Sequence, residues 1–141
     1  MLLDANVLLY AVDADSPFHE TAADWLTDHL NGPRRVGFPW QSLVGFLRIS
    51  THPRASAAPL QPAEAVGYLD DWLAADVAWI PVPGPGHARL LADVIGRHHL
   101  RGNLISDAHL AALAIEHGLT MISADSDFAR FTDLAWVNPF R

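Results

Sequence analysis

The chain has 141 residues, half of them hydrophobic, which suffices for one compact domain with a sizeable core. It carries no cysteine, so disulfides and thiolate zinc sites are excluded and nothing points to an oxidising compartment. A net charge of −7, from 16 acids against nine bases that are all arginine, argues against a broad basic face for clamping nucleic acid, unless cations neutralise many of the acids.

Leu2 to Asp4 reads as a first strand, and Asn6 to Val12 as a short helix with a broad apolar face. Ser16-Pro17 is a cap followed by proline, and predicts a helix through Trp25 and Leu30 that stops at Asn31-Gly32. Arg35 to Phe38 is a second strand, and Pro39 opens a helix through Leu43, Phe46 and Ile49. His52 to Gln61 is a proline-bearing loop, after which Pro62 starts a helix with Val66, Leu69, Trp72 and Leu73 at helical spacing. Val77 to Pro81 is a third strand, PVPGPG breaks the chain, and a helix through Leu90, Leu91, Val94 and Ile95 follows. Ser106 is placed to cap a helix ending near His117-Gly118. Leu119 to Ile122 and Ala135 to Val137 complete the strands. Strands separated by helices predict a mainly parallel sheet covered on both faces, in one domain over residues 1–141. The N-terminus lacks the basic region of a secretory signal, and no apolar run approaches the ~20 residues of a membrane span. The expectation is a soluble, cytoplasmic protein with no membrane partner.

The acids fall where such a sheet gathers ligands, beyond the carboxyl ends of its strands. Asp4 ends the first strand, Asp107 lies in the first turn of a helix, and Asp125 and Asp127 follow the strand LTMIS. Each has an ordinary alternative: Asp107 as a helix-dipole partner, Asp125 and Asp127 as turn residues. Asp4 is the hardest to account for, because a buried strand-end carboxylate needs a cation or several N–H donors. Nearby Asn6 offers one neutral bond. Together the acids would repel without cations, and they suit Mg²⁺ or Mn²⁺, hard ions that prefer oxygen ligands. Two such ions ~3.5–4 Å apart can drive phosphodiester hydrolysis.

The runs MLLDANVLLYAVD, PWQSLVGFLRISTHPR and LISDAHLAALAIEHGLTMISADSDFARF, in this order, resemble PIN-domain ribonucleases. More narrowly, they resemble the VapC toxins of bacterial toxin–antitoxin pairs, in the style abundant in mycobacteria. The resemblance implies a PIN-like α/β fold, three layers (α/β/α) around a mainly parallel sheet. It implies metal-dependent RNA cleavage, inhibition by a cognate VapB-type antitoxin, and a homodimer. It assigns Asp4, Asp107, Asp125 and Asp127 to the metal and the attacking water, and Asn6 to orienting Asp4. Many PIN domains carry a glutamate where this chain has Gly45, so the number of metal ions is open. Asp13 and Glu20 are substitutes that the spacing does not support.

The eight histidines are mostly isolated. His109, two residues after Asp107, does not share its helix face. Arg48, Arg54 and Arg130 are candidates for phosphate contact, Arg48 and Arg130 foremost. Most tryptophans read as core. Trp40 is the exception, at a helix start near the expected site. Two rival functions are a catalytically degenerate PIN scaffold that binds RNA or protein, consistent with Gly45, and a receiver-like signalling domain. The second needs an acid after the third strand, where VAWIP runs into PVPGPG without one.

Overall fold

The computed structural model describes residues 1–141. Five strands, β1 (Leu2–Leu3), β2 (Val36–Gly37), β3 (Ala78–Trp79), β4 (Met121–Ile122) and β5 (Trp136–Val137), form one sheet in the order β3-β2-β1-β4-β5. Every pairing is parallel. Six helices connect them: α1 (Ala5–Val12), α2 (His19–Leu30), α3 (Trp40–Ser50), α4 (Pro62–Leu73), α5 (His87–His98) and α6 (Leu104–Glu116). The chain winds outward from β1 through β2 to β3, then returns to lay β4 on the other side of β1. Such a switch point leaves a crevice beyond the carboxyl ends of the central strands.

Successive strand residues point to opposite faces, and the core divides accordingly. Leu3 and Ile122 pack with Val7, Leu26, Phe46 and Trp72, one from each of α1 to α4. Leu2 and Met121 pack with Val94 of α5 and Leu110 and Leu113 of α6. The molecule is therefore the three-layered α/β/α structure expected, with four helices on one face and two on the other. No helix is long and apolar enough to cross a membrane.

The strands pair over only two residues each, fewer than the sequence predicts. The chain turns into helix as soon as it leaves the sheet, at Asp4 after β1 and at Pro39 after β2. Two predicted caps also differ. Ser16 closes a turn, its Oγ accepting from Phe18 N–H at 3.1 Å, and α2 begins only at His19. Helix α6 begins at Leu104, two residues before Ser106, because a turn at Gly102 (φ +64°) brings Ile105 N–H onto the Gly102 carbonyl at 3.1 Å. Asp107 stays in the first turn of α6.

The far end of α6 is as predicted. Gly118 adopts φ +66°, Gly118 N–H donates to the Ile115 carbonyl and Leu119 N–H to the Ala114 carbonyl at 2.8 Å. This pair of bonds closes the helix and aims the chain into β4. Gly37 is required by close approach: a Cβ there would stand 2.8 Å from both the Met1 carbonyl oxygen and Pro81 Cγ.

Candidate active site

Asp4 leaves β1 and caps α1. Its Oδ1 accepts from Ala5 N–H at 2.8 Å, and its Oδ2 accepts from Ser123 Oγ at 2.6 Å and Asn6 Nδ2 at 3.2 Å. Three donors thus answer the question its burial raises. Asn6 does more than orient Asp4: its Oδ1 accepts from Ala124 N–H at 3.2 Å, tying the start of α1 to the chain leaving β4. Ser123, fully buried, accepts in turn from Asp125 N–H at 3.0 Å. The exits of β1 and β4 are laced together by side chains as well as by the sheet.

Asp125 heads the short 3-10 turn Ser126–Arg130, its Oδ1 accepting from Asp127 N–H at 2.9 Å. Asp127 faces Arg130, whose Nη2 lies 3.3 Å from Oδ1 and whose Nε donates to the Asp127 carbonyl at 3.1 Å. Across from this turn, α6 presents Asp107. Carboxylate oxygens of Asp107, Asp125 and Asp127 all lie within 4.8 Å of one another. Asp4 adjoins this trio without belonging to it at that distance.

The electrostatics follow from that crowding. Partial burial, then the charges of Asp125, Asp4 and Asp127, push Asp107 up to about 6, against a smaller opposing effect of Arg130. Burial raises Asp4 as well. The hydrogen bonds from Ser123, Ala5 and Asn6 oppose that rise, and the charge of Asp125 adds to it. Three carboxylates converging with one arginine form an all-oxygen, net negative donor set, which fits a hard divalent cation. Asp107, Asp125 and Asp127 are the residues that could hold it.

Arg48 and Gly45 line a cleft of about 530 Å³ beside Asp4, together with Trp40, Gln41 and Ser106. A Cβ on Gly45 would meet only Ala5 Cβ, at 3.4 Å, so the position is open rather than crowded. Among the histidines, His109 turns away from the acids. Its Nδ1 lies 3.0 Å from His87 Nε2, and His87 Nδ1 lies 2.8 Å from Glu116 Oε1. Sequence reasoning missed Ser123, the hub of the β1–β4 lacing. Its one signal was its position, immediately after the strand and two residues before Asp125.

A parallel α/β sheet whose switch point carries a carboxylate cluster defines the class: a doubly covered α/β protein with an acidic, cation-fitting cleft at the carboxyl edge of its sheet. Residues 1–134 match the PIN domain family model. Ribonuclease VapC37 of Mycobacterium tuberculosis is 43% identical over 138 residues, covering 98% of this chain and 96% of that protein. Ribonuclease VapC33 of the same species is 40% identical with the same coverage, and Ribonuclease VapC43 is 37% identical over 99% of this chain and 95% of that protein. Solved structures agree in fold. VapBC2 from Rickettsia felis, bound to a promoter DNA fragment, superposes with a TM-score of 0.69 at 16% identity, covering 97% of this chain and 96% of that one. VapBC-1 from nontypeable Haemophilus influenzae gives 0.69 at 14% identity, covering 99% and 98%. The chain belongs to the PIN-domain family, as its sequence pattern led one to expect.

Proposed function

We propose that this chain is the toxin of a toxin–antitoxin pair, a single PIN domain over residues 1–141 that hydrolyses RNA phosphodiester bonds with Mg²⁺, Mn²⁺ being able to substitute. The observation that carries the reading is the convergence of Asp107, Asp125 and Asp127 within 4.8 Å, at the switch point of a PIN fold and beside Asp4. Its relatives named as VapC ribonucleases support it. A divalent cation bound there would polarise the scissile phosphate and make a water more acidic. Asp107, Asp125 and Asp127 would hold it. Asp4, fixed by three hydrogen bonds, would stand as the fourth carboxylate on the side of β1. Asn6 and Ser123 hold Asp4 and the Asp125 backbone in one frame, so the acids do not have to reorganise as a phosphate arrives. Arg48 and Arg130 offer the positive charge that steers a polyanion towards an acidic cleft.

The same acidity suits a basic antitoxin segment, and we assign inhibition to a VapB-type partner on that ground, with the toxin acting as a homodimer in the cytoplasm. Gly45, which leaves the cleft without a further carboxylate, favours a second reading: a scaffold that binds RNA without cutting it.

The test is cleavage of total RNA by the purified chain with Mg²⁺ or Mn²⁺, with EDTA, and by Asp4→Asn and Asp125→Asn. Cutting that needs the cation and is lost in both variants, with circular dichroism unchanged, supports the nuclease. Full activity in Asp4→Asn sinks the assignment of that residue. RNA retained but never cut points to the degenerate scaffold.

A further inference from the structure

Trp40 stands apart from the other tryptophans. Trp25 stacks on His29 at 3.8 Å, Trp72 packs among Phe38, Phe46 and Tyr68, and Trp79 lies against His117 and under Arg35. Trp136 donates its Nε1–H to the Ser123 carbonyl at 3.0 Å. Trp40 has no ring partner and no hydrogen bond, and 52% of it is exposed. Burying such a ring is worth a few kcal/mol, and the fold leaves about half of that unused.

The same face of α3 carries more. Trp40, Val44 and Arg48 recur at i, i+4 and i+8, one stripe along the helix. Val44 is 54% exposed, and Arg48 is exposed with no carboxylate partner in an acidic chain. Trp40 and Arg48 both line the cleft of about 530 Å³ that contains Asp4 and reaches Ser106, the neighbour of Asp107. Gly45 contributes no side chain to that cleft, and Gln41 closes its α6 side by donating to the Ser106 carbonyl at 3.3 Å. The volume lies in the range of ligand sites. An open indole, an unpaired guanidinium and an adjoining cation-fitting acid cluster are the parts list of a nucleotide subsite: a face for a base, a charge for a phosphate, and the chemistry next door.

We propose that the Trp40–Arg48 cleft receives one unpaired nucleotide of the RNA next to the cleaved phosphate, its base stacked on Trp40 and its phosphate on Arg48. This rests on the ribonuclease reading and adds a requirement to it. A paired base has its faces occupied by its neighbours in the duplex, so the substrate is single-stranded at that position. A second protein could also cover Trp40 and Val44, but it has no need of an arginine beside a carboxylate cluster.

Binding and cutting are measured separately. A fluorescein-labelled single-stranded RNA of about 12 nucleotides, its duplex, and a copy with one abasic nucleotide are titrated with Mg²⁺ onto the full chain bearing Asp107→Asn. The expected result is a 5- to 150-fold loss of single-strand affinity in Trp40→Ala, the worth of one base on an aromatic face. Trp40→Phe keeps most of the affinity, Arg48→Ala steepens the loss, and the duplex is insensitive to Trp40. The abasic copy binds Trp40→Ala and its Trp40 parent with a much smaller difference. Single-strand affinity unchanged in Trp40→Ala overturns the subsite. So does light scattering that shows Trp40→Ala splitting a dimer while the monomer binds RNA as tightly as before. Trp40-dependent binding, when the chain with Asp107 intact never cuts the same single strand under Mg²⁺ or Mn²⁺, defeats the nuclease reading and keeps the subsite. Cutting that ignores Trp40 does the reverse.

Discussion

Asp107 shows how far a residue's surroundings govern its chemistry. Its carboxyl is held at about 6 in the folded chain against 3.8 for the free group, through burial first and then three neighbouring acids. The folded form therefore binds this proton more tightly than the unfolded form. Above pH 6 both forms are ionised and the repulsion weakens the fold in full. Between about 6 and 3.8 the folded chain gains a proton that the unfolded chain lacks, so stability rises as pH falls through that window. We expect the cation-free protein to melt higher at pH 5 than at pH 7.5, and Asp107→Asn to lose much of that slope in differential scanning calorimetry. Because Asp107 is partly exposed, solvent screening moderates the size of the effect. Ser123 makes the opposite kind of contribution, because its hydrogen bond opposes the upward push that burial gives the Asp4 carboxyl. Ser123→Ala should cost about 1–3 kcal/mol in urea denaturation and shift the Asp4 carboxyl titration upward by NMR, since Oδ2 keeps only Asn6 as a donor. An unmoved Asp4 titration would show that the serine is packing alone.

At the scale of elements, helix starts and strand ends decide the site. β1 and β4 pair at Leu2–Met121 and Leu3–Ile122, and each strand then releases an acid into the same crevice. α6 supplies the third side because the Gly102 turn sets where it begins. β2 holds the register beside β1 only because Gly37 has no side chain. Gly37→Ala should destabilise by about 1–3 kcal/mol, as its methyl meets backbone on one side and a proline ring on the other. A chain that tolerates it without loss in thermal melting would show that β2 can shift.

For the whole molecule, the relevant quantity is the repulsion concentrated at one edge of a chain that is already at −7. A cation that binds the folded state alone stabilises it by about 2.7 kcal/mol at one hundred times its Kd. We expect Mg²⁺ and Mn²⁺ in the millimolar range to raise the melting temperature, EDTA to reverse the gain, and Asp125→Asn to abolish it. Melting indifferent to both ions would deny that Asp107, Asp125 and Asp127 form a cation site.

By itself the sequence determined the alternation of strand and helix, the parallel sheet, and the acids at strand ends. Those are properties of periodicity and of local punctuation, such as Pro39, Pro62 and the Gly118 stop, and they are written in neighbouring residues. Asp4 stood out in the run MLLDANVLLY because a carboxylate in an apolar segment is costly wherever the chain goes. Only the tertiary structure decided how that cost is met. Ser123 lies 119 residues away from Asp4, and no local pattern foretells a 2.6 Å bond between them. The same holds for the convergence of Asp107 with Asp125 and Asp127, and for the solitude of Trp40. Each depends on which strands lie side by side, and strand order is set by long-range packing rather than by any stretch of sequence.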